Sequence, residues 1–144
     1  MSDLEKAKSF LADGEYSCAA VKGDTVYTGK KGGIVPLLEF ISSGTDLKGF
    51  SAADKIIGKA AALLWVLCGV KEVYTPVLSE KAASVFKENG ISFTYDILVS
   101  DIFNKAKTDI CPMEKAVCDI NDTYVAYEVL TDTLARLRAG KGKA

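Results

Sequence analysis

There is no histidine among the 144 residues. That absence excludes a Ser-His-Asp or Cys-His couple assembled from this chain, and it removes imidazole from any metal site. No C-x-x-C pair occurs either. The four cysteines, Cys18, Cys68, Cys111 and Cys118, are scattered, so a thiolate zinc site would have to be gathered from distant segments, and no metal is expected. Structural disulfides are not expected in a reducing compartment. The longest apolar run, Ala60 to Val70, is far short of the ~20 residues that a membrane span needs. The opening "MSDLEKAKSF" has no apolar signal-peptide core, so a cytoplasmic protein with no membrane contact is expected. Charge of one sign is lacking too. With 18 basic and 19 acidic residues the net charge is −1, and no long basic stripe or stacking platform points to nucleic acid.

What is present is the composition of an ordinary globular protein, 49% apolar and 26% charged, long enough for one domain with a real core. Leu4, Ala7, Phe10 and Leu11 share a helical face within residues 1–14, and Asp13-Gly14 ends that helix. "YSCAAVKGDTVYTG" reads as two strands around Gly23-Asp24, and "GKKGGIVPLLEFISSG" as a glycine-rich turn feeding a short helix. Ser51 and Asp54 resemble a capping box opening a long helix that Gly69 ends. "KEVYTPVL" reads as a buried strand, Ser79 as the cap of a helix running to Asn89-Gly90, and "ISFTYDILV" as a further strand. Cys111-Pro112 opens a short helix. "DTYVAYEVLTDTLARLRAG" supplies the last, with residues 139–144 expected as a frayed basic tail. Strands alternating with helices predict an α/β domain, a three-layer α/β/α sandwich around a mixed sheet.

Three stretches could carry chemistry. On the reading of a helix from Ser51, Lys55 and Lys59 lie one turn apart in its first turns, where a helix carries about half a positive charge and cations are unfavourable. Their stems could cover apolar surface while the ammonium groups reach water. Alternatively, free backbone N–H groups and both ammonium groups form a site for a phosphate or carboxylate, with Gly58 leaving room for it. "GKKGG" is the second stretch: Gly32 and Gly33 let successive amides form an anion-binding nest, although the pattern is not a Walker loop. In "CPMEKAV", Cys111 occupies a helix N-cap, where a thiol gains thiolate character, and Glu114 can reach back to cap. The plainer alternative is a buried capping cysteine, with Glu114 merely satisfying backbone donors.

"GGIVPLLEFI", "ADKIIGKAAALL", "GVKEVYTPVLSEKA", "NGISFTYD" and "CPMEKAVCD" together resemble an uncharacterised bacterial and archaeal family of unknown function that is placed in the cytidine-deaminase-like superfamily. The resemblance implies the deaminase-like sandwich, with active-site helices meeting at one edge of the sheet. Zinc deaminases carry H-x-E on one helix and P-C-x-x-C at the start of the next. Here "ADKIIGK" stands in the first place and "PVLSE", Pro76 to Glu80, in the second, with Val77 and Glu80 where the cysteines would be. The resemblance therefore implies a cleft without zinc, relined with Asp54, Lys55, Lys59 and Ser79.

Two functional classes follow, with the first slightly favoured. In an enzyme acting on a small anionic, nucleotide-like ligand, Lys55 and Lys59 bind the anion, Asp54 is a general acid/base and Cys111 a nucleophile, with Glu114 counted among the catalytic residues. In a non-catalytic sensor or interaction protein the cysteine is idle, and a homodimer through apolar helices replaces an open cleft with a filled one and an apolar patch. No cofactor is expected in either.

Overall fold

Four alanines without exposed surface, Ala19, Ala20, Ala52 and Ala53, form the middle of the molecule. Such small side chains let a sheet be covered closely from both sides. In the computed structural model, which describes residues 1–104 and 106–142, these alanines lie on strands β1 (Cys18–Lys22) and β3 (Ser51–Asp54). Strand β1 pairs antiparallel with both β2 (Thr25–Gly29) and β3. The β1–β2 hairpin turns at Gly23, whose φ of +61° favours glycine. Beyond β3 the sheet becomes parallel: β3, the short β4 (Ile56–Ile57) and β6 (Ser92–Val99) all run with β5 (Glu72–Ser79). Parallel neighbours need crossovers, and helices α3 (Lys59–Cys68) and α4 (Glu80–Glu88) provide them. The result is a mixed α/β fold with a six-stranded sheet.

Strands β3 and β4 keep one register against β5, Ser51 opposite Glu72 and Ile56 opposite Val77. The interruption lies opposite Thr75 and Pro76, where the proline has no N–H to give. Lys55 N–H turns away there and donates to the Ser17 carbonyl at 3.1 Å. Ala19, Val21, Ala53 and Tyr74 on one face of the sheet pack with Leu4, Ala7, Phe10 and Leu11 of helix α1 (Asp3–Ala12). On the other face Cys18, Ala20, Ala52 and Val73 join the main core. Its helical members come from α2 (Val35–Ser42), α3, α4 and α6 (Thr123–Gly142). A fifth, short helix, α5 (Pro112–Ala116), precedes α6. Among the described residues no helix is long and apolar enough to cross a membrane.

One expectation is corrected here. The segment from Ser51 is not the start of a helix: Ser51–Asp54 is a strand buried on both faces, and cross-strand pairing overrides the helical preference of its alanines. Helix α3 begins at Lys59, with extended Gly58 as its N-cap and Gly69 closing it at φ +82°. Helix α6 runs as far as Gly142, since glycine weakens a helix without breaking it. Lys143 and Ala144 lie outside the described residues.

Candidate functional site at the first turn of helix α3

Gly58 has no side chain with which to cap α3, so the first amides of that helix need acceptors from elsewhere. Glu114 on α5 supplies both. Its Oε1 accepts from Lys59 N–H at 2.8 Å and its Oε2 from Ala60 N–H at 2.7 Å. A Cβ on residue 58 would lie 2.6 Å from the Glu114 carboxylate carbon and 2.8 Å from Ile102 Cγ1. Glycine at this position is what admits the carboxylate. In the opposite direction, the Lys59 ammonium donates to the Cys118 carbonyl just past the end of α5, at 3.0 Å. A carboxylate thus sits on the positive end of α3, and a buried ammonium binds the segment that carries the carboxylate.

Lys55 and Lys59 are not the one-turn helical pair expected. Lys55 is exposed, in the break between β3 and β4, whereas Lys59 is buried in the first turn of α3. They share no helical face. Glu114, expected to cap its own helix, caps a different one. Cys111 does stand at the N-cap of α5, but its side chain makes no capping hydrogen bond. Its backbone instead ties the loop down, donating to Ile102 O at 2.9 Å and accepting from Lys115 N–H at 3.1 Å. No hydrogen bond joins Cys111 to Asp54, Lys55 or Lys59 among the described residues.

Asp54 closes β3 beneath α3, buried, and accepts from the Trp65 indole N–H at 3.0 Å. Burial pushes its carboxyl up to about 7, against the opposing pull of the indole and the Lys55 amide. Cys18 stands opposite Asp54 across the β1–β3 pair. Its thiol is driven well above the usual range, by burial first and then by the Asp54 charge. Ser79 is buried and accepts from Ala82 N–H at 3.1 Å, which makes it the expected cap of α4. Gly32 and Gly33 form an exposed turn leading to α2, with Gly33 at φ +60°. Their neighbour Lys31 pairs with Glu39 at 2.6 Å, and no hydrogen bond connects that turn with α3. The glycine turn, Ser79 and the α3 entrance are therefore separate features. Surface depressions lie between α2 and α6, α1 and β5, and α5 and α6. None of these is lined by Asp54, Lys59, Cys111 or Glu114.

Sequence reading missed the Trp65–Asp54 and Lys59–Cys118 bonds and the true partner of Glu114. One signal was available: a glycine directly before a helix demands a cap from elsewhere in the chain.

No curated protein matches this chain. A crystal structure of a DUF1893 family protein from Thermotoga maritima is similar, with 27% identity and a TM-score of 0.80 over 93% of this chain and 89% of that one. The family described as a domain of unknown function, DUF1893, matches residues 6–134. With nearly the whole fold inside that match, this chain belongs to the DUF1893 family.

Proposed function

We propose that this is a non-catalytic interaction domain of the cytidine-deaminase-like kind, a metal-free three-layer α/β/α sandwich that acts by contact with a protein partner. Support for the fold comes from helices against both faces of the sheet and from the strand order β2-β1-β3-β5 with β6 beside β5. Ala53–Lys59 and Pro76–Glu80, the segments that the resemblance sets in the place of the two zinc-ligand motifs, lead into α3 and α4. They bring neither imidazole nor thiolate, and among the described residues no three Cys, Asp or Glu side chains gather into a metal-sized group. Its free thiols suit the cytoplasm.

One observation carries the functional part. The α3 amides best placed to hold an anionic ligand already hold Glu114, at 2.8 and 2.7 Å. Asp54, the buried acid, is turned toward Trp65. The chain fills its own cleft. A second reading starts from the same geometry: a small anion, phosphate or carboxylate, displaces Glu114 and takes over its two amides.

Isothermal titration of the whole chain with inorganic phosphate, and then with a nucleoside monophosphate, separates them. The interaction reading expects no saturable heat from the parent chain, and phosphate binding only in Glu114→Ala. Saturable binding by the parent, weakened at least tenfold in Lys59→Met, would overturn it in favour of the second reading.

A further inference from the structure

Strand β6 is an edge: it pairs with β5 and, among the described residues, with no other strand. Soluble proteins usually blunt such edges with lysine, proline, a bulge or a covering segment, because a row of unpaired N–H and C=O groups recruits another strand. Here the eight residues Ser92–Val99 contain no lysine and no proline. Their one charge, Asp96, already accepts from Tyr74 Oη at 2.6 Å. The strand is exposed over nearly its whole length, with Tyr95 at 43%, Ile97 at 58% and Leu98 at 44%. Phe103 in the following loop is 54% exposed. Ile56, in register with Val77 and through it with Ile97, carries the exposed apolar row inward across the sheet.

We propose that β6 pairs antiparallel with β6 of a second copy of this chain, about a two-fold axis through Tyr95. Side chains on the same face must meet across such an axis, so one residue opposes itself. An axis at Asp96 would set two carboxylates against each other. Centred on Tyr95, the pairing sets ring against ring, Phe93 against Ile97 of the second copy, and Thr94 against its Asp96. Apolar groups then meet apolar groups, a hydroxyl meets a carboxylate, and no like charges oppose. Ladder hydrogen bonds on both sides of the axis join two sheets into one. Helix α3 is buried from Lys59 to Trp65, so it has no apolar face to offer to this contact. The proposal names the partner for the interaction reading and rests on it, but it depends on the strand edge and not on how α3 is capped.

Sedimentation equilibrium of the full chain is the test, with Ile97→Lys as the edge-blocking variant. The parent is expected to be a dimer and Ile97→Lys a monomer with an unchanged far-ultraviolet spectrum. A second measurement fixes the register. Tyr95→Cys should form a disulfide-linked dimer under mild oxidation, because directly opposed strand residues lie within the ~4.4–6.8 Å Cα range of a disulfide. The parent and Leu98→Cys should not. A monomeric parent, a folded Ile97→Lys variant that still dimerises, or cross-linking of Leu98→Cys in preference to Tyr95→Cys would each overturn the proposal. Those results leave the phosphate titration untouched, so failure of the pairing and failure of the filled-cleft reading are told apart.

Discussion

Glu114 reaches the amides of α3 through the space that the missing side chain of Gly58 leaves. A Cβ there would come within 2.6 Å of the carboxylate carbon, a distance that atoms of a folded protein do not tolerate. Gly58 is extended rather than left-handed, with φ −98°, so backbone strain is not the reason for glycine. Gly58→Ala should therefore act through side-chain packing alone, chiefly by expelling Glu114. Loss of a good cap, together with the displacement of Ile102, is expected to cost about 1–3 kcal/mol. Urea unfolding followed by circular dichroism would show a lower midpoint with an unchanged slope; an unchanged midpoint would mean that Glu114 is not seated where it is described.

The two sides of this junction should be unequal in energy. Glu114→Ala strands two amide donors in a half-buried site, and a loss of about 1–3 kcal/mol is expected. Lys59→Met keeps the apolar stem and removes a charge whose burial is itself costly, so its effect should stay within about 1 kcal/mol. Measured as a double-mutant cycle, the pair should show coupling, because both residues clamp the same segment onto α3. Strict additivity of the two losses would contradict that.

Much of the architecture was legible from the chain alone. The β1–β2 hairpin, the cap at Ser79 and the Cys111-Pro112 helix start were read from local turn and cap chemistry, and β6 from its alternation, all of which depend on neighbouring residues only. Ser51–Ile57 was not. Its serine, alanines and aspartate satisfy a helix N-terminus locally, and only pairing with β1 and β5 makes them a strand. That one displacement moved Lys55 off the helix and separated it from Lys59. The Glu114 contact escaped for a similar reason: it spans 55 residues of sequence, and no spacing rule connects a glutamate to a helix so far away.

Thiol reactivity should sort the cysteines by environment. Cys118 is exposed, whereas Cys18 is buried and the Cys68 thiol is pushed up to about 12 by burial. Since the thiolate is the reactive form, Cys118 should react first with a disulfide reagent, and Cys18 and Cys68 only on unfolding. Mass spectrometry of briefly labelled native protein is the measurement. Early modification of Cys18 would contradict its place between the β1–β3 pair and α2.

Asp54 should make stability depend on pH in the direction opposite to most carboxylates. Its folded value is about 7 against an ordinary 3.8, so between these values the native state holds a proton that the unfolded chain releases. Unfolding then gives up protons, and stability falls as pH rises. The contribution is complete below pH 3.8 and is lost progressively as pH climbs through about 7. A shift of this size corresponds to a few kcal/mol, roughly 1.4 per pKa unit. Other carboxylates contribute trends of their own, so the informative quantity is the difference between the parent and Asp54→Asn, in which an amide oxygen can still accept from the Trp65 indole. The stability advantage of the parent over the variant should shrink steadily with rising pH across that window. Trp65 is the single tryptophan of the chain, so its emission should titrate with the same midpoint in the parent and stay flat in Asp54→Asn. A flat parent signal would show that Asp54 does not titrate in this window, and an advantage that grows with pH would show that it is ionised in the native protein throughout.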